Sequence, residues 1–215
     1  SKKNIFQKKL IRKKILKQNL KYFQDADDIA KRILKVAKKL NKKINLEKIA
    51  DIYLWYTDLL KKEELYFEKH KDYRHKNYDK VFKEVYNRPD YMFRYAIGLG
   101  TSQLFWENHL KVFKFYKENL VKKVKKNPLI AEIGMGHGLF TAEIFRKQNK
   151  ANSIMVDVSD MCLKFAKEMS LISGANKSNI QLKKDDIQKK ISIQDNSLDV
   201  LLLGEVIEHL AEGKK

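Results

Sequence analysis

Four stretches of this chain hold residue types and spacings that could do chemistry. Glu132-Ile-Gly134-Met-Gly136-His-Gly138 puts three glycines at alternate positions directly after an apolar run. Glycines let a backbone turn tightly and approach a ligand closely. The start of a following helix offers free N–H groups to a carboxylate or phosphate. The dinucleotide pattern G-x-G-x-x-G would need glycine at position 139, where Leu139 stands, and no Lys-Ser/Thr pair follows to make a phosphate-binding P-loop. Asp157 ends a second apolar run, where a carboxylate can accept both hydroxyls of a ribose. Asp185-Asp186 follows a third run, where an acceptor could read an adenine amino group. The fourth stretch is Gly204-Glu205-Val-Ile-Glu208-His209. Its Glu205, Glu208 and His209 are spaced to share a helix face. An imidazole there titrates near neutrality and could take a proton from a hydroxyl, and the same face could instead bind a divalent metal through oxygen and nitrogen.

The elements that must position these groups follow from apolar patterning. Short apolar runs at 128–133, 153–157, 180–182 and 198–203 are predicted strands. Helical stretches at 140–146, 161–171 and 206–210 alternate with them, which predicts an α/β fold with a Rossmann-like, doubly wound parallel sheet. Ligands in such sheets sit at the carboxyl ends of the strands, where the four stretches fall. Upstream, the spacing predicts only helices. Asp25 or Asp27 is expected to cap one through Leu40, Asn45 the next, and Asn77 a short one that stops before Pro89. Pro89 opens another, which Gly98 and Gly100 are expected to break. Thr101 or Ser102 would then cap a long helix to about Val124.

Charge divides the chain at the same place. The whole formal net charge of +19 lies in residues 1–126, and residues 127–215 are neutral. A basic helical region (1–126) and an α/β domain (127–215) are the expected units. The basic part could steer an anionic partner such as RNA. Lysine richness of this kind also arises from composition alone, so nucleic acid is the less favoured partner. No apolar run approaches the roughly 20 residues that span a bilayer. The single Cys162 excludes an internal disulfide framework and fits a cytoplasmic setting.

With these residues in place, the stretch 128–210 resembles the class I S-adenosylmethionine-dependent methyltransferases. Glu132–Gly138 is similar to their E/D-x-G-x-G-x-G loop, and Val156-Asp-Val-Ser159 to the V-D-x-S that ends their second strand. Asp186-Ile187 stands where an acid and its neighbour bracket the adenine, although the family's common Gly-Asp is Asp-Asp here. Asp195-Asn-Ser-Leu-Asp199-Val resembles D-x-S-F-D-V, with Leu198 in place of Phe. The resemblance implies that the methionine end of the cofactor runs past Gly134, Met135, Gly136 and Gly138. Glu132 would orient that loop or receive the amino group, and Asp157 would hold the ribose. Val158 or Met161 would pack on adenine, Asp186 and Ile187 would read it, and the backbone at Gly204 would border the sulfonium. S-adenosylhomocysteine would be the product.

Two kinds of enzyme carry a string like Glu205-Val-Ile-Glu208-His209-Leu. Small-molecule O-methyltransferases do, with His209 and Glu205 as candidate catalytic groups. So do small-RNA 2′-O-methyltransferases, in which Glu205, Glu208 and His209 would bind a metal. Glu208 and His209 could also merely anchor a helix. The small-molecule reading is the favoured one, with a polar acceptor such as a sugar, a nucleotide-linked compound or a secondary metabolite methylated on oxygen or nitrogen. A third reading is a non-catalytic interaction module. Upstream helices lid the acceptor pocket in many such enzymes, so Gln103, Trp106 and His109 are candidate acceptor contacts, although an aromatic helix face is more often core. Tyr91, Arg94 and Tyr95 carry the same ambiguity. Class I sheets have seven strands and only four fit here. The chain is therefore expected to be a truncated form with weak turnover, whose open sheet edge an oligomer or partner would cover.

Overall fold

The computed structural model describes residues 12, 20–75, 77–189 and 191–207. Helix α1 (Leu20–Leu40) turns Ile29, Ile33, Val36 and Ala37 inward, the spacing that keeps one stripe of a helix in line. It begins before Asp25 and Asp27, which therefore do not cap it. The earlier start is held by a tertiary contact, since the Tyr22 hydroxyl donates to the Leu104 carbonyl. Asn45 does cap α2 (Leu46–His70), accepting from the Lys48 N–H at 2.9 Å, and Ile49, Ile52, Tyr53 and Tyr56 form its buried face. Asn77 opens the single turn α3 (Tyr78–Val81), which widens into a π-helical turn over Phe82–Tyr86.

Pro89 stands in the first turn of α4 (Pro89–Phe105), which runs straight through Gly98 and Gly100. The expected break at those glycines is corrected by packing. A Cβ on Gly98 would lie 2.5 Å from Tyr56 Cβ, so this glycine lets α4 rest against α2. Thr101 and Ser102 are interior residues rather than caps, their hydroxyls donating to the Ile97 and Leu99 carbonyls at 2.7 and 2.6 Å. The chain leaves the helix at Trp106, in extended backbone, where the indole N–H donates to the Tyr53 hydroxyl at 3.0 Å. Helix α5 (Glu107–Tyr116) follows and ends in a π-helical turn over Lys117–Val121.

The remainder alternates strand and helix: β1 (Leu129–Ile133), α6 (Leu139–Lys147), β2 (Asn152–Val156), α7 (Asp160–Ile172), β3 (Ile180–Lys183) and β4 (Val200–Leu203). The sheet order is β3-β2-β1-β4 with every pair parallel. This is the Rossmann-like arrangement expected from the patterning. Of the helix predicted over 206–210, residues 208–210 lie outside the described residues. The register is what matters for function. Ile133 pairs with both Val156 and Leu203, and Val156 pairs with Lys183. Gly134, Asp157, Lys184 and Gly204 therefore leave the sheet side by side.

One face of the sheet buries Ile130 and Met155 with Phe145 and Leu163, and the other buries Ala131, Ile133, Ile154 and Val156 beneath Ile187, Ile191, Ile193 and Leu198. Helices α1 and α4 join α6 and α7 in a further core of Ile33, Val36, Ile97, Leu139, Phe165 and Met169. Each such side chain contributes about 1.5–3 kcal/mol of burial. The same seam contains a buried charge. The Arg32 guanidinium lies 2.6 Å from Glu143 of α6, 2.9 Å from Asp28 and 3.4 Å from the Ser173 hydroxyl beyond α7. Among the described residues, no helix is long and apolar enough to cross a membrane.

Gly98→Ala tests the α2–α4 contact. Alanine favours a helix by about 1 kcal/mol over glycine, but overpacking costs about 1–3 kcal/mol. The clash is with a Cβ fixed to the α2 backbone, so the upper end of that range applies. A net loss of about 1–2 kcal/mol is expected, read as a lower urea midpoint at unchanged slope.

Candidate active site

A cavity of about 440 Å³ opens at the carboxyl edge of the sheet. Strand-end loops wall one side through Gly134, Gly136, Asp157, Val158, Asp186 and Gly204. The helical layer walls the other through Tyr56, Leu60, Tyr86, Met92, Tyr95 and Leu99, with Trp106 and His109 at the start of α5.

The glycine loop is built by left-handed backbone at Gly134, Gly136 and Gly138, with φ of 66, 49 and 68°. These three do not share one task. Gly134 and Gly136 line the cavity, whereas Gly138 does not. A Cβ there would stand 2.5 Å from Ala166 Cα, so Gly138 lets α6 begin hard against α7. The Met135 side chain is buried with Ile130, Ile144 and Met155 and belongs to the core rather than to the cavity lining. Glu132 is also buried behind the loop. It accepts from the Thr141 N–H at 3.0 Å, satisfying a free amide in the first turn of α6. Burial pushes its carboxyl up to about 7. His137 is neutral, since burial pulls it down to about 3, and its Nδ1 accepts from the Leu139 N–H at 3.1 Å.

Asp157 opens on the cavity from a buried position. It accepts from the backbone N–H of Ser159 at 2.8 Å and also from those of Gly136 and Val158. Burial outweighs these bonds and holds its carboxyl up at about 6. Asp186 is half-buried and accepts from the Gln188 N–H at 3.0 Å. The Tyr78 hydroxyl also bonds to it, so α3 closes over this corner. Burial, and then Asp186, push that phenol up to about 12. Ile187 and Val158 line the cavity, whereas Met161 packs against the helical core and faces away from it.

The strand-end string is rearranged relative to expectation. Glu205 sits in left-handed backbone at φ 53°, ahead of the turn at Ile207, with its side chain 59% exposed. Glu205 itself is therefore not in helical backbone. Glu208 and His209 lie outside the described residues. Among the described residues no group of three His, Cys, Asp or Glu is arranged to hold a metal. Glu205 instead faces His109, whose Nε2 lies 3.5 Å from Glu205 Oε1.

His109 is the polar centre of the helical wall. Its Nδ1 lies 2.8 Å from Ser102 Oγ and 3.0 Å from the Gln103 side-chain amide, and its ring rests on Trp106 at 4.9 Å. Burial lowers its pKa and Glu205 partly restores it. Gln103 does not line the cavity and reaches it only through His109. Arg94 lies over the Trp55 ring at 4.0 Å and Tyr91 meets the same ring edge-on, so those two residues form a cluster away from the cavity. Tyr56, Leu60, Tyr86 and Leu99 were not candidates from sequence. Their helical spacing is the same for a core as for a cavity wall, and nothing local separates the two.

Comparison with known proteins adds one match. Residues 130–215 match the family model described as a methyltransferase domain. Searches of curated proteins and of solved structures found no match.

Glu132 gives the site a stability signature. Its carboxyl titrates near 4.5 in an unfolded chain and about 7 when folded. The folded state therefore binds the extra proton, and its contribution to stability is full below about 4.5 and lost as pH rises through about 7. Glu132→Gln stays neutral throughout, so its stability is expected to gain on the parent's across that window. Urea titrations at each pH measure this. His137 acts in the opposite direction but is common to both proteins and drops out of the comparison.

Proposed function

We propose that residues 130–215, which match a methyltransferase domain, form a class I S-adenosylmethionine-dependent methyltransferase domain, and that the chain methylates a small, ring-bearing molecule on a hydroxyl or amine. The carrying observation is the continuity of one cavity from the strand-end carboxylates to a helical wall rich in tyrosine. Aromatic and apolar walls bind flat apolar groups, with a few polar groups setting orientation. That wall favours a ring system over the sugar or nucleotide-linked acceptor expected from sequence.

A methyltransferase domain implies S-adenosylmethionine as donor, and the residues present fit it. Asp157 is a buried carboxylate lining the cavity, a group suited to accept from a ribose hydroxyl. Asp186 and Ile187 would bracket the adenine with Val158 beside it, and Gly134, Gly136 and Gly204 would border the methionine end. The cofactor supplies an electrophilic methyl group. The protein's part is to align the acceptor with it and to keep water away. A cytoplasmic setting belongs to the same reading, supported by a lone, buried Cys162 thiol.

Calorimetry with S-adenosylhomocysteine tests this. The parent is expected to bind. Asp157→Ala, losing hydrogen bonds to a charged group worth about 1.5–3 kcal/mol, is expected to bind roughly 10- to 100-fold more weakly. A parent that does not bind rejects the reading. The ribose donates to the ionised carboxylate, whereas Asp157 in the free protein holds its proton up to about 6. Affinity is therefore expected to fall as pH drops below that value, by up to about tenfold per unit, and Asp157→Asn should abolish the dependence.

A further inference from the structure

Glu205 brings a negative charge to the aromatic side of the cavity. Its Oε1 lies 3.5 Å from His109 Nε2, the His109 ring rests on Trp106 at 4.9 Å, and the Trp106 ring lies 6.0 Å from that of Tyr56. Tyr56 in turn meets Tyr95 edge-on at 5.4 Å. The charge is felt along this row. Burial, and then Glu205, raise the Tyr56 phenol, and Glu205 adds to the burial that raises Tyr95. Both phenols therefore stay neutral and present rings. The imidazole does not cancel the carboxylate either, because burial lowers its pKa more than Glu205 raises it. The Gln103 side-chain nitrogen, which can only donate, lies 3.0 Å from Nδ1, so the neutral ring keeps its hydrogen on Nε2, facing Glu205. Cations are missing from the lining. The chain has 46 lysines and arginines, yet among the described residues none lines the cavity. An acceptor bearing a phosphate or carboxylate would meet like charge there and no opposite one.

We propose that the methyl acceptor is an amine carried on an apolar ring, held as its ammonium by the Glu205 carboxylate beside the rings of Tyr56, Tyr95 and Trp106. This rests on the methyl-transfer reading above and narrows its acceptor from a hydroxyl or amine to an amine. Aromatic faces and a carboxylate are the two groups that attract an organic cation. For transfer, one N–H bond of the ammonium breaks and its proton leaves to water, which reaches the exposed Glu205 side chain. The freed lone pair forms the N–CH3 bond, while the C–S pair stays with the sulfur. Positive charge thus passes from sulfur to nitrogen, and a carboxylate fixed beside that nitrogen favours its arrival. A hydroxyl acceptor would have to give up its proton next to the same negative charge, which opposes formation of an oxyanion.

Benzylamine, benzyl alcohol and benzoate share a ring and differ in charge. Their binding to the full chain saturated with S-adenosylhomocysteine is titrated at neutral pH by saturation-transfer NMR. Benzylamine is expected to bind roughly tenfold or more tightly than benzyl alcohol, and benzoate more weakly than either. Glu205→Gln keeps the shape and removes the charge. It is expected to weaken benzylamine by roughly 10- to 100-fold and to leave benzyl alcohol where it was. With S-adenosylmethionine in a single-turnover mixture, N-methylbenzylamine is the expected product, detected by mass spectrometry. Benzyl alcohol binding as tightly as benzylamine, a Glu205→Gln loss shared equally by the two, or no N-methylbenzylamine from a parent that binds the amine overturns the proposal. So does an equal loss of affinity for S-adenosylhomocysteine in Glu205→Gln, which would assign the carboxylate to the amino group of the methyl donor. A parent that does not bind S-adenosylhomocysteine rejects the methyltransferase reading instead, so the two failures are distinguishable.

Discussion

Ile133 stands in parallel register between Val156 on one side and Leu203 on the other. Shifting either neighbour by one residue would turn every side chain of that strand to the opposite face of the sheet. The apolar faces of β1 and β2 forbid such a shift, because Ile130 and Met155 belong to one core and Ala131, Ile133 and Val156 to the other. Asp199 adds a polar lock at the far end by accepting from the Leu129 N–H at 2.8 Å. With the register fixed, the glycine loop, the Asp157 carboxylate and Gly204 emerge together with no further specification. The chemistry at the strand ends is thus a by-product of burial inside the sheet.

The helical layer supplies what the sheet lacks. Strand ends give carboxylates and backbone amides, and α2, α4 and α5 give tyrosines, an indole and an imidazole. These helices are bound to the sheet layer through a shared interior in which Ile97 and Ile33 meet Leu139 and Phe165. The placement of His109 therefore depends on the same burial that orders the sheet.

The sheet side was legible because residue type and position coincide there. A run of β-branched and aliphatic residues that ends in glycine or aspartate marks both a strand and what stands at its end. The predicted starts and stops of β1, β2 and β3 lie within a residue or so of the observed ones. β4 starts later than the apolar run, because Leu198 packs beneath the sheet rather than pairing within it. The helical side was less legible. Gly98 carried the signature of a break and is a contact point, whereas Trp106 carried no such signature and is where the chain turns. Met135 and Met161 adjoin motif residues in sequence but point into cores, because their neighbours' backbones, not their own side chains, form the loops. Glu205 carried no sign in sequence of the left-handed backbone it adopts.

Arg32 sets a limit on how this molecule can breathe. Swinging α1 outward would part its guanidinium from Glu143 and Asp28 from Arg146, leaving Arg32 with Asp28 alone and Glu143 with Arg146 and Lys117, and would open the apolar seam around them. The short turn from Tyr78 to Tyr86 carries no buried side chain. Its displacement is the cheaper one, so the doorway for anything entering or leaving belongs on that flank, over the corner where Tyr78 meets Asp186.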